Sequence, residues 1–92
     1  NTLDLSAIPI LKDLTHLPVI VDPSHASGVA KLVKPLSLAS VGAGAHGLMI
    51  EVHNDPKHAL CDGAQSITPD AFGDIVKGVN VMLPIVNKQL EL

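Results

Sequence analysis

Aromatic residues are nearly absent from these 92 residues: Phe72 stands alone, with no Trp and no Tyr. A surface that stacks nucleobases needs aromatic platforms, so that mode of nucleic-acid binding is excluded. Arginine is missing altogether, and all six basic residues are lysine. Sites that grip phosphorylated substrates ordinarily use guanidinium forks. A phosphate-handling protein carrying this sequence must therefore keep most of that machinery elsewhere. The formal net charge is −3, with no basic run, which argues against a nucleic-acid or anionic-membrane surface. A single cysteine, Cys61, rules out an internal disulfide framework and fits a reducing, cytoplasmic compartment. No apolar stretch reaches the eighteen or so residues that a membrane span requires. The first residues, Asn1-Thr2-Leu3-Asp4, carry no initiator Met and no signal or transit pattern; they read as a chain joined in the middle.

What is present is apolar. The chain is 47% hydrophobic and 16% charged, the composition of a packed domain rather than of a disordered tail. Its length allows one small domain or part of a larger one. The pattern predicts helix, strand, helix, strand, helix. Leu5, Ile8, Leu11 and Leu14 recur at helical spacing within residues 4–15. Asp4 or Ser6 can cap that helix, and Pro9 is tolerable if it stays in the first turn. Leu17-Pro18-Val19-Ile20-Val21 is apolar throughout, as expected of a parallel strand covered on both faces.

A loop around Gly28 is expected over residues 26–31, then a second helix over 32–42 with Leu36, Ala39 and Val41 on its apolar side. Gly42 and Gly44 end it. Gly47-Leu48-Met49-Ile50 is the second strand, stopping at Glu51, and a polar loop follows from His53 to Thr68. Thr68-Pro69-Asp70 opens the last helix with an N-cap, a first-position Pro and an acid in the first turn. Phe72, Ile75, Val76, Val79, Leu83, Val86 and Leu90 hold its apolar face, and Pro84 should kink it.

Two parallel strands buried on both faces need neighbours, and their open edges invite pairing with other chains. A (β/α)8 barrel takes roughly 250 residues. The expected fold class is α/β, the C-terminal third of a TIM barrel: helix 6, strand 7, helix 7, strand 8 and helix 8, with residues 1–92 a fragment of one catalytic domain.

The ends of the two strands carry the polar residues of interest. In α/β folds ligands bind outside the carboxyl ends of the strands. Asp22-Pro23-Ser24-His25 follows the first strand, and Glu51-Val52-His53 and Cys61-Asp62-Gly63 follow the second. A lone histidine in such a loop ordinarily hydrogen-bonds locally, and Asp62 before Gly63 is by itself an ordinary turn residue. Glu51 raises the stakes, because a carboxylate after an apolar strand needs a cation or a hydrogen-bonded partner. His25, Glu51 and Asp62 together form a set that can share a divalent cation. Spacing alone leaves both readings open. Lys31 could reach the same end and touch a phosphate, but it reads first as a solvated lysine. Cys61 adjoins Asp62, so its side chain should diverge from it. His53 is expected beside the ligands or in local structure. His58 reads as a solvated loop residue, and His16 and His46 precede the strands and receive no role.

Four stretches resemble consecutive landmarks of one family. They are Asn1-Thr2-Leu3-Asp4-Leu5-Ser6-Ala7-Ile8-Pro9, Leu17 to His25, Gly47 to His53, and Ala59-Leu60-Cys61-Asp62-Gly63-Ala64-Gln65-Ser66. The family is 3-deoxy-D-arabino-heptulosonate 7-phosphate (DAHP) synthase, of the short type related to 3-deoxy-octulosonate phosphate synthases. The resemblance covers residues 1 to about 75. It implies a metal-dependent, aldol-like condensation of phosphoenolpyruvate with erythrose 4-phosphate, the first step of the shikimate route to aromatic amino acids. In that family Cys, His, Glu and Asp hold the metal, and His25, Glu51 and Asp62 match the last three. The family cysteine lies on an earlier strand, and Cys61 stands where the family usually has Ser.

The resemblance further implies a divalent ion (Mn, Fe, Co or Zn), a homo-oligomer, and orienting roles for Asp22 and Ser24 toward His25 or the sugar hydroxyls. Val29-Ala30 departs from a basic pair common in the family. Two alternatives remain at this point. One is the sister enzyme that uses arabinose 5-phosphate, disfavoured by the Asp-Pro-Ser-His loop. The other is a non-catalytic, self-associating barrel piece; a fragment of this size is expected to be inactive on its own.

Overall fold

The computed structural model describes residues 2–88. Helix α1 (Ala7–Leu14) comes first, followed by strand β1 (Ile20–Val21), helix α2 (Pro23–Ser27), helix α3 (Val33–Gly42), strand β2 (Gly47–Leu48) and helix α4 (Pro69–Met82). Single 3-10 turns occur at Ala30–Leu32, Pro56–His58 and Gly63–Gln65. The strands are parallel neighbours, with Ile20 opposite Gly47 and Val21 opposite Leu48. The result is a small α/β unit.

Both strands are shorter than the apolar runs that encode them. Each has a single neighbour, and only the paired residues qualify as sheet. The pairing is tied at its start by His46, whose N–H donates to Val19 O (2.9 Å) and whose Nδ1 accepts from Val19 N–H (2.9 Å). The histidine given no role at the sequence level is thus a strand-pairing residue. Coverage also differs from expectation. Val21 is buried, while Ile20 and Met49 are 55% and 58% exposed. The helices cover one face of the pair and leave the other open. Among the described residues no helix is long and apolar enough to cross a membrane.

The core has two parts that meet at Leu48. Val33, Val41, Ile67, Ile75, Val79 and Leu83 pack between α3 and α4, with Leu48 and Ile50 against them. Ile8, Val21 and Ala45 form the second cluster under α1. In α1 only Ile8 is buried; Leu11 and Leu14, on the same stripe, are exposed. The buried positions of α3 are Val33, Ser37, Ser40 and Val41, so serines take places expected of Leu36 and Ala39. Their small size suits a crowded contact, and the Ser40 hydroxyl is satisfied within its own helix by Leu36 O (2.7 Å).

Helix α4 begins as its sequence specifies: the Thr68 hydroxyl accepts from Ala71 N–H (3.2 Å) and Pro69 takes the first turn. It ends at Met82, so Pro84 lies past the end instead of kinking the helix, as its missing N–H and ring favour. Leu90, placed on this face by periodicity, lies outside the described residues. Lys88 closes the C-terminal side by donating to Gly44 O (2.9 Å) and Ala45 O (2.6 Å). Those contacts bury it enough to lower its ammonium pKa, with Lys12 adding repulsion.

Candidate metal centre

The residues after β1 form a helix where a loop was expected. Asp22 is its N-cap, Pro23 occupies the first position, and Gly28 ends it in the left-handed conformation (φ 67°). Asp22 caps through Oδ1, which accepts the His25 N–H at 2.9 Å. The same carboxylate then reaches the ring: Asp22 Oδ2 lies 2.5 Å from His25 Nδ1. One aspartate thus fixes both the backbone and the imidazole of His25. With Nδ1 engaged, Nε2 is the ring atom left to face the rest of the site.

Glu51 lies three residues past β2. Its N–H donates to Ser24 Oγ (3.0 Å) and its carbonyl accepts from Ile67 N–H (3.0 Å). A parallel bridge between Val52 and Ile67 continues that link. Asp62 adopts a left-handed conformation at φ 56°, which Asp tolerates better than most residues. Its carbonyl accepts from Ser66 Oγ (2.7 Å) and from Gln65 N–H (3.2 Å). One short helix and two loop segments, each pinned through its backbone, thereby deliver three side chains to one point.

At that point His25 Nε2 is 3.2 Å from Asp62 Oδ2 and 3.5 Å from Glu51 Oε1. One ligand atom from each residue lies within 4.8 Å of the others, the one such group of His, Cys, Asp or Glu among the described residues. A divalent ion about 2.1 Å from each ligand atom would hold neighbouring ligand atoms roughly 3.0–3.5 Å apart. The donor set and the two measured separations fit such an ion. Without one, the two carboxylates act on the imidazole. Hydrogen bonding to Asp22, then to Asp62, raises the His25 pKa above 6.5, against an opposing contribution from desolvation.

The other residues singled out by sequence fall outside this cluster. Ser24 is fully buried and its hydroxyl is engaged by the Glu51 backbone. Cys61 is exposed and free. His53 Nδ1 accepts from Asp55 N–H (2.8 Å), and His58 Nδ1 pairs with Asp55 Oδ2 (2.7 Å). Lys31 and His16 are exposed. Sequence reasoning overlooked α2 and Ser66. The Asp22-Pro23 pair was a readable helix start; nothing local marks Ser66 as the partner of Asp62.

A sequence profile of the DAHP synthetase I family matches residues 1–84. The chain belongs to this family. A phospho-2-dehydro-3-deoxyheptonate aldolase from Thermotoga maritima is 51% identical over 84% of this chain and 23% of its own length. A 2-dehydro-3-deoxyphosphooctonate aldolase from Desulfotalea psychrophila is 34% identical over 79% of this chain and 30% of its own. The crystal structure of the Thermotoga maritima DAHP synthase superposes with a TM-score of 0.95 at 43% identity, covering 99% of this chain and 27% of that one. The chain therefore spans about a quarter to a third of these relatives.

Proposed function

We propose that residues 1–92 are the C-terminal third of a (β/α)8 barrel (helix 6, strand 7, helix 7, strand 8, helix 8) whose intact form condenses phosphoenolpyruvate with erythrose 4-phosphate to DAHP. The observation that carries this reading is the convergence of His25, Glu51 and Asp62 at the C-terminal ends of two parallel strands, in a chain of the DAHP synthetase I family. These three residues hold a divalent ion (Mn, Fe, Co or Zn), with a fourth ligand supplied from outside this chain. When bound, the ion supplies Lewis acidity toward the aldehyde of the four-carbon sugar.

The chain's own groups do the rest of the local work. Asp22 accepts the Nδ1–H of His25 and so keeps the Nε2 lone pair directed at the site, the usual arrangement behind a metal-bound imidazole. Glu51 and Asp62 supply negative charge that offsets a dication. The carbon–carbon bond forms between the enol carbon of phosphoenolpyruvate and the sugar carbonyl carbon; water adds at the adjacent carbon and phosphate leaves by C–O cleavage. The groups that grip both phosphates lie outside this chain, in keeping with its lack of arginine.

The unpaired edge of β1 fits the same reading. An exposed groove of about 470 Å³ beside β1 is lined by Leu3, Ala7, Ile8, Val19, Val21 and Asp22 among others. A neighbouring βα unit of the barrel would cover it. The isolated 92 residues would present this edge to one another, self-associate and be inactive, whereas the intact enzyme is a cytoplasmic homo-oligomer. The second reading, condensation with arabinose 5-phosphate, is favoured by the phosphooctonate aldolase relatives, which run from 32% to 40% identity, below the 51% of the heptonate enzyme.

The test is phosphoenolpyruvate consumption by the intact protein with each sugar, before and after chelation. Metal-dependent turnover with erythrose 4-phosphate is expected. Preference for arabinose 5-phosphate would establish the second reading, and full activity after chelation would refute the metal assignment.

A further inference from the structure

Behind the three ligand side chains runs a second line of hydrogen bonds made entirely by backbone groups and two buried hydroxyls. Beyond Met49, whose N–H donates to Val21 O (2.8 Å), β1 turns away into α2. The Pro23 carbonyl there accepts the Ser27 hydroxyl (2.8 Å). Glu51 N–H, two residues further along, finds its acceptor in the Ser24 side chain at 3.0 Å. Ser24 is 0% exposed and immediately precedes His25. On its other side, Glu51 O accepts from Ile67 N–H. Ser66, next to Ile67 and also buried, donates its hydroxyl to Asp62 O at 2.7 Å. The line therefore passes from the neighbour of His25, through Glu51, to Asp62.

We propose that Ser24 and Ser66 are positioning residues of the cation site, locking the backbones of Glu51 and Asp62 relative to His25 so that the ligand triangle stands before an ion arrives. This rests on the cation reading above. The strands are two residues long, so strand pairing alone constrains their ends weakly. The Ser24–Glu51 bond spans 27 residues of sequence and is the tie between the His25 and Glu51 segments just behind the site. Asp62 sits in a left-handed conformation that a non-glycine residue holds at some energetic cost; the Ser66 hydroxyl reaches back four residues to its carbonyl. Neither serine need touch substrate, and both act through the residues whose backbones they hold.

The experiment compares Ser24→Ala, Ser66→Ala and a control, Ser40→Ala, in the intact protein. The Ser40 hydroxyl is also buried, but it bonds only one turn back in its own helix. Mn²⁺ affinity is measured by electron paramagnetic resonance of the free ion, and the thermal midpoint is measured on the metal-free protein. Loss of outer-layer partners of a metal site typically weakens binding 10–100-fold, so Ser24→Ala and Ser66→Ala should each raise the Mn²⁺ dissociation constant by about tenfold. Ser40→Ala should lower the midpoint and leave Mn²⁺ affinity unchanged. An affinity within about twofold of the unsubstituted protein, in the range of ordinary remote changes, removes that serine from the proposal; both variants behaving so overturns it. If Ser24→Ala does not fold, Ser66→Ala carries the test. Absence of Mn²⁺ binding by the unsubstituted protein overturns the cation reading and this proposal together.

Discussion

Replacing Gly63 by alanine should damage the cation site without touching a ligand. A Cβ at this position would lie 2.5 Å from the Pro56 carbonyl oxygen and 3.5 Å from Ala59 Cβ. Ordinary contact begins near 3.4 Å, so about 0.9 Å must be found by moving one backbone segment against another, since packed structure yields only by strain. Gly63 directly follows Asp62, and the obstructing carbonyl belongs to the Pro56–His58 turn. The segment carrying Asp62 is thus the part expected to shift. A ligand displaced by nearly 1 Å leaves the narrow range of cation–oxygen distances, and a loss of roughly 10–100-fold in Mn²⁺ affinity follows, about 1.4–2.8 kcal/mol.

Gly47→Ala is the internal contrast. Its Cβ would meet Ile20 Cδ1 at 2.8 Å, but that atom is the tip of a half-exposed side chain that can rotate away. Mn²⁺ binding measured calorimetrically on both variants of the intact protein decides the matter. Affinity of Gly63→Ala equal to that of Gly47→Ala, or a crystal structure of Gly63→Ala with Asp62 unmoved, would refute the reasoning.

Three further outcomes are expected. In metal-free protein the His25 ring should titrate above 6.5 by proton NMR, because Asp22 and then Asp62 bind its protonated form. Its folded pKa being raised, the stability it contributes is full below the unfolded value and is lost as pH rises through the folded one; Asp22→Asn should bring the titration back down. Gly73→Ala, whose Cβ would meet nothing within 4 Å inside α4, should stabilise the protein by about 0.5–1 kcal/mol through helix propensity, visible as a higher midpoint in thermal unfolding. Val33→Ala, at a position with 0% exposure in the α3–α4 core, should cost about 2 kcal/mol in denaturant unfolding; a loss below about 0.5 kcal/mol would mean the core does not depend on that side chain.

Much of this chain is written locally. Thr68-Pro69-Asp70 names the start of α4, Pro9 and Pro35 fall within the first turns of α1 and α3, and the apolar periodicity of α4 identifies Ile75, Val79 and Leu83 as buried. These features depend on backbone chemistry within a few residues, which any reader of the sequence can apply. The polar residues at the strand ends were equally legible. Glu51 stood out because a carboxylate directly after an apolar strand needs a partner, and His25 and Asp62 in the neighbouring segments completed a possible ligand set, although spacing alone left metal and local hydrogen bonding equally open.

Other features needed the folded chain. Periodicity could not say that Ser37 and Ser40, not Leu36 and Ala39, face inward on α3, because that choice depends on which helices pack against it. Composition could not say that the strand pair is covered on one face only, since an apolar run looks the same whether its second neighbour is in this chain or outside it. His46 appeared idle until β1 lay beside it. Ser24 and Ser66 were ordinary small polar residues until folding brought Glu51 N–H to one and returned the Asp62 carbonyl to the other. By itself the sequence determined where helices start, which side chains are apolar enough to be buried, and which residues could bind a cation. The tertiary structure decided which of them meet, because a hydrogen bond across 27 residues has no local signature and exists only after the strands pair.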